Sequence, residues 1–141
     1  MEDSYPQEKC RVSKFHIAIL DDLEPIVNLL ARLVESMGFA ASRFTRPKPF
    51  MKMIEDGVLP DLLILDIVMP EMDAIEIIDW MEKNKISIPI ILVSGYDEDY
   101  IKVTKSLAAH KNAKVIGSFT KPLFLPDIQA TLKEIVNSQH P

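Results

Sequence analysis

Apolar residues along this chain keep two rhythms that alternate five times. Short apolar runs of strand length occur at Phe15 to Leu20, broken only by His16, at Ala40 to Phe44, Leu62 to Leu65, Ile90 to Val93 and Val115 to Phe119. Leu62 to Leu65 has no alternation at all, as expected of a parallel strand buried on both faces. Between the runs the spacing becomes helical. Ile26, Leu30, Leu33 and Met37 make one stripe of a helix that starts at Pro25 and is stopped by Gly38. Phe50, Met53 and Ile54 share a face of a short helix between Arg46-Pro47-Lys48-Pro49 and Gly57, and Ala74, Ile77, Ile78 and Met81 make a third stripe with Trp80 on its margin. A polar fourth helix, Glu98 to His110, has Tyr100, Val103 and Leu107 as its apolar marks and so reads as the least well anchored. Ile128, Leu132 and Ile135 stripe the last. Strands alternating with helices through short connections imply a doubly wound α/β fold, a parallel sheet with helices on both faces.

What ends each strand matters more than the strands themselves. Asp21 and Asp22 follow the first, Asp66 the third, Ser94 the fourth and Lys121 the fifth. In an open parallel sheet these carboxyl ends share one edge, where ligands bind, so five side chains distant in sequence should converge there. Met69-Pro70 then turns the chain away from that edge, and Asp73 offers a side-chain cap to the third helix.

Size and charge narrow the choice of chemistry. At 141 residues and 48% hydrophobic content the chain suits one domain with one substantial core. Residues 1–13 are polar and aperiodic and read as a flexible leader, with the domain over 14–138 and a tail at 139–141. A formal charge of −5 and the lack of a basic run argue against nucleic-acid binding by this domain. The single cysteine, Cys10, cannot close an internal disulfide, and neither a signal peptide nor a run of about 20 apolar residues is present. The expectation is a cytoplasmic domain with no membrane contact.

Three acids at one edge raise each other's pKa unless a cation sits among them. Lys121 offsets one charge, and an all-oxygen carboxylate site with room for water suits Mg²⁺, a hard ion often shared with a phosphate. Beside such an ion Asp66 can attack a phosphoryl group, with Ser94 and Lys121 donating to its oxygens. Taken singly, each residue has a plainer reading: Asp22 or Asp73 as a helix cap, Ser94 as a loop hydroxyl, Lys121 as a solvated charge. Together, an acid pair, an acid, a hydroxyl and a lysine at four strand ends are not what plain capping and solvation predict.

The combination of Asp21-Asp22, Asp66 with Met69-Pro70 and Met72-Asp73, Ser94 and Lys121-Pro122 resembles the receiver domain of bacterial two-component response regulators, over roughly Lys14 to Asn137. That resemblance implies the flavodoxin-like strand order 2-1-3-4-5. It implies that Asp66 accepts a phosphoryl group from a sensor histidine kinase or phosphotransfer protein. Asp22, Asp66 and the carbonyl of Val68 would ligate Mg²⁺, with Asp21 acting mainly through a water. Ser94 would swing toward the phosphoryl group, Lys121 would pair with it, and the Lys121-Pro122 bond would be cis. Ala74 stands where the family usually has Gly, and Ser118 stands at the switch position three residues before the lysine, with Phe119 beside it. The stretch Val115 to Phe119 before Thr-Lys-Pro-Leu is similar to receivers attached to cyclic-di-GMP phosphodiesterase domains, which suggests one kind of downstream effector.

The expected function is a switch: phosphorylation of Asp66 draws in Ser94 and Lys121 and alters the surface of the fourth helix, fifth strand and fifth helix, with homodimerisation through that face adding to the shift. An alternative is a Mg²⁺-dependent phosphohydrolase working through an aspartyl phosphate. Such enzymes commonly carry a second acid two residues after the nucleophile, and here that position is Val68, so only slow self-dephosphorylation is expected. A second alternative is a receiver-like interaction module that is never phosphorylated, which the serine at 118 keeps open.

Overall fold

The computed structural model of the chain describes residues 14–95 and 98–139. The expected leader, residues 1–13, and the last two positions of the tail, 140 and 141, lie outside the described residues. Strands β1 (His16–Leu20), β2 (Ala40–Phe44), β3 (Leu62–Asp66), β4 (Ile90–Ser94) and β5 (Val115–Thr120) alternate with helices α1 (Glu24–Ser36), α2 (Pro47–Glu55), α3 (Ala74–Lys83), α4 (Glu98–His110) and α5 (Leu125–Gln139). All pairings are parallel and the sheet order is β2-β1-β3-β4-β5, the expected 2-1-3-4-5.

Side chains alternate across a strand, so each one serves two cores. Ala18, Leu20, Leu63, Leu65, Ile90 and Leu92 face α2, α3 and α4, where they meet Phe50, Ile54, Ile77, Ile78, Met81 and Ala108. Ile17, Ile19, Leu62, Ile64, Ile91 and Val93 face α1 and α5, against Val27, Leu30, Val34, Ile128 and Leu132. Central β3 and β4 are buried along their whole lengths, which is why they read as unbroken apolar runs, whereas edge strands β2 and β5 are only partly covered.

The third stripe holds residue for residue, with Ala74, Ile77, Ile78 and Met81 all buried. α3 opens on a capping box: Asp73 accepts from the Glu76 N–H at 2.9 Å, and Glu76 accepts from the Asp73 N–H at 3.0 Å. α2 begins at Pro47 instead of after Pro49, because proline in the first helical turn gives up no needed N–H. The α1 stripe is rotated toward Val27, Leu30, Ala31 and Val34, with Ile26, Leu33 and Met37 on its flank.

α4 differs most from its sequence reading. Its range is the expected one, but Tyr100, Val103 and Leu107 are exposed, Val103 at 60%. The sheet-facing positions are Ile101, Thr104 and Ala108, and the buried Thr104 hydroxyl donates to the Tyr100 carbonyl at 3.0 Å. A small and a polar residue in the buried stripe leave the outer apolar residues as the more conspicuous pattern.

β5 carries one extra residue. Val115 pairs with Ile90 and Gly117 with Ile91, so Ile116 is a bulge, after which Ser118, Phe119 and Thr120 stay in step with Leu92, Val93 and Ser94. Paired residues of parallel strands point to the same face. Phe119 therefore shares the α1/α5 face with Val93 and packs into that core, while Ser118 takes the α4 face with Leu92. No described helix is long and apolar enough to cross a membrane.

Candidate functional site

Register assembles the edge. Leu20 pairs with Leu65, so Asp21 and Asp66 leave neighbouring strands side by side. Their parity, like that of Lys121, matches the residues facing α1 and α5. The Lys121 N–H donates to the Ser94 carbonyl at 2.7 Å, and the Asp21 N–H to the Phe44 carbonyl at 3.1 Å, which fixes both side chains just past their strands.

The side chains follow. Asp21, Asp22 and Asp66 each offer a carboxylate oxygen within 4.8 Å of the others. Asp21 and Asp66 are buried, at 2% and 4% exposure, and Asp22 is exposed at the mouth. Lys121 Nζ lies 2.9 Å from Asp21 Oδ2 and 3.6 Å from Asp66 Oδ1. Ser94 is buried at the end of β4, and Gly95 next to it lies alongside the Lys121 stem. The Lys121-Pro122 peptide is cis.

Burial is the main reason that the Asp66 carboxyl is pushed up to about 7, and the charge of Asp21 adds to it. Lys121 opposes the rise, and Asp22 raises it further through hydrogen bonding and charge. Lys121 responds in the complementary way. Burial works to lower its pKa, but the Asp21 contact and the charges of Asp66, Asp21 and Asp22 outweigh it and hold the ammonium above its usual value.

The sequence pattern described as the response regulator receiver domain matches residues 17–133, most of the chain. The chain belongs to this receiver family. The Bacillus subtilis (strain 168) alkaline phosphatase synthesis transcriptional regulatory protein PhoP is 30% identical over 120 residues, covering 85% of this chain and 48% of PhoP. Staphylococcus aureus (strain USA300) response regulator SaeR is 27% identical over 85 residues, 60% of this chain and 36% of SaeR. The receiver thus spans less than half the length of these relatives. Among solved structures, a response regulator from Colwellia psychrerythraea is 32% identical with a TM-score of 0.77, covering 89% of this chain and 99% of that one. A CheY-like receiver domain from Methanospirillum hungatei JF-1, 24% identical with a TM-score of 0.74, covers 90% and 97% and shows the same fold.

The receiver's three carboxylates suit a hard divalent cation. All donors are oxygens, they outnumber the one lysine, and Asp21 Oδ2 is fully buried with no directed hydrogen bond, the Lys121 ammonium at 2.9 Å being its one cationic neighbour among the described residues. Its Oδ1 is already used, accepting from the Leu23 N–H at 2.9 Å. Asp22, considered above as a helix cap, does not cap α1: the N-cap is Leu23, with no side-chain bond.

One element of the rim escaped the sequence reading. Arg46, the N-cap of α2 just past β2, reaches Glu71 in the loop after β3 at 3.4 Å, bridging two loops that flank Asp22. The signal was there, an arginine following a strand and facing the loop after the acidic one, but the two prolines after it, Pro47 and Pro49, read as a plain connection.

Proposed function

We propose that this receiver is a phosphorylation-activated switch that takes a phosphoryl group on Asp66 from the phosphohistidine of a sensor kinase or phosphotransfer protein. What carries the reading is one juxtaposition: a buried carboxylate, Asp66, flanked by Asp21, Asp22 and the Lys121 ammonium at a single sheet edge. A carboxylate in that position attacks phosphorus as the donor's P–N bond breaks, forming an acyl phosphate, a mixed anhydride, while the imidazole leaves with the bonding pair. Asp21, Asp22, Asp66 and the Val68 carbonyl would hold Mg²⁺, which would neutralise the cluster and the incoming oxygens. Lys121 balances charge on the new phosphoryl group, and the Ser94 hydroxyl is the donor placed to turn toward it.

Val68 cannot activate water, so the acyl phosphate should last minutes or longer, which suits a signal and not a hydrolase. Phosphorylation adds about −1.5 to −2 units of charge at Asp66. Because Ser94 leads toward α4, which packs on β5 and carries exposed Val103 and Leu107, and β5 carries exposed Ile116, the α4-β5-α5 face is the output we assign. A nearly complete population shift requires roughly 5 kcal/mol of differential stabilisation, and homodimerisation through this face would add to what the acyl phosphate supplies. With Phe119 in the α1/α5 core, Ser118 itself, not a swinging ring, occupies the switch position on the α4 side. A cytoplasmic setting fits a kinase-linked role.

The test is incubation with a small phosphodonor and Mg²⁺, followed by intact mass. The expected outcome is a phosphoryl mass gain that needs Mg²⁺ and vanishes in Asp66→Asn. No gain would leave an inert interaction module, and rapid turnover of phosphomonoesters would leave the hydrolase.

A further inference from the structure

We propose that Arg46 is a donor-positioning residue, holding the dianionic phosphoryl group of a small phosphodonor over Asp22 as it approaches Asp66. The inference rests on the phosphoacceptor reading above and deepens it. A cavity of about 250 Å³ opens beside the acidic cluster, lined by Asp22, Thr45, Arg46, Met69, Pro70 and Glu71. Its size admits a tetrahedral phosphoryl group with a compact leaving group. Asp22 forms one wall, and its carboxylate lies within 4.8 Å of the Asp66 carboxylate, so an anion entering this way comes up beside the acceptor cluster.

Charge supplies the need. Asp21, Asp22, Asp66 and Glu71 set four acids around the entry against the Lys121 ammonium, which is committed to Asp21 and Asp66 on the floor. Even with Lys121 and a bound Mg²⁺ the four acids outweigh the cations by one charge, so a cation at the mouth would ease the entry of a phosphoryl dianion. Arg46 is that cation, and it is poorly engaged: its side chain is 61% exposed, and its contact with Glu71, itself 47% exposed, spans 3.4 Å. An exposed pair of this kind contributes little to stability, so exchanging Glu71 for a phosphoryl group costs little. A guanidinium binds two phosphoryl oxygens at once through parallel N–H donors, which fixes orientation as well as distance.

With phosphoramidate the step balances without a proton transfer. Asp66 Oδ forms a bond to phosphorus as the P–N bond breaks, and the already protonated nitrogen leaves as ammonia with the bonding pair. Arg46 touches only the phosphoryl oxygens, which travel with phosphorus, and neither the attacking oxygen nor the leaving nitrogen.

The experiment measures the second-order rate constant for Asp66 phosphorylation by phosphoramidate with Mg²⁺, following intact mass. Arg46→Ala should lower it about fivefold, Arg46→Lys less, and the deficit should shrink toward molar salt, where screening replaces the missing charge. Glu71→Gln, which frees Arg46, should raise the constant above that of the unsubstituted chain, an effect that local misfolding would not produce. Equal constants for Arg46→Ala and the unsubstituted protein, or a deficit untouched by salt, overturn the inference while leaving the phosphoacceptor reading in place. An unsubstituted protein that takes up no phosphoryl group overturns both.

Discussion

The ammonium of Lys121 stands closer to Asp21 than to Asp66, 2.9 Å against 3.6 Å. The lysine is therefore anchored mainly on Asp21, not on the proposed acceptor, and could turn to a phosphoryl group on Asp66 without losing its own support.

Lys121→Met should accordingly damage the resting protein. It strips the only described cation from a buried acid pair, and removing one partner of such a group costs about 3 kcal/mol. Urea denaturation at neutral pH without divalent cations should show the loss, and added Mg²⁺ should recover part of it. An unchanged midpoint would mean that the acids are not charged together.

Asp66 imposes a pH dependence of defined sign. Its carboxyl rises from 3.8 to about 7 on folding, so between those values the folded state holds the proton that the unfolded state has lost. Stability from this group is complete below pH 3.8 and is lost as pH rises through about 7. In metal-free buffer, Asp66→Asn should thus be more stable than the unsubstituted chain at pH 8, by on the order of 2 kcal/mol, and equal to it near pH 4. Denaturation curves at the two pH values decide it, and a gap independent of pH would contradict the assignment.

Asp79 on α3 ties down the far end of α4. Its Oδ1 lies 3.0 Å from Lys111 Nζ, just past α4, and its Oδ2 lies 3.0 Å from Lys83 Nζ. The bonds from Lys83 and Lys111 hold its carboxyl below the usual range. Asp79→Asn should quicken amide exchange in the last turn of α4 by roughly threefold to tenfold and leave α1 unaffected. Uniform quickening through both helices would point to global destabilisation instead.

Phe119 should behave as a core residue, not a moving part. Phe119→Ala is expected to cost roughly 1–3 kcal/mol, as for a partly buried ring, and to leave phosphorylation-dependent changes in α4 exchange intact. Loss of those changes in a folded variant would give the ring a switching role after all.

Most of the fold was legible because the central strands are buried on both faces and α3 is amphipathic without ambiguity. Leu62 to Leu65 and the Ala74, Ile77, Ile78, Met81 stripe have no competing reading. The site residues were legible for a related reason: strand ends in a parallel sheet share an edge, so Asp21, Asp66 and Lys121 could be brought together without coordinates. What eluded the sequence depends on packing that composition does not reveal. α4 buries Thr104 and Ala108 and turns Val103 and Leu107 outward, inverting the usual cue. The side taken by Phe119 follows from the register after a bulge. The Arg46 contact with Glu71 joins two loops whose approach only the folded sheet determines.

The unpaired Ile116 separates β5 into two lengths of chain with different obligations. Above it, Gly117 to Thr120 must keep step with β4 so that Lys121 arrives between its two carboxylates. Below it, Val115 and the turn from α4 are relieved of that duty. A chain shortened by one residue at this point would take up the slack near Ala113 and Lys114, and its lysine would still reach the same acids. Gains and losses of length can accumulate at the foot of this strand while the chemistry at its head stays where it is.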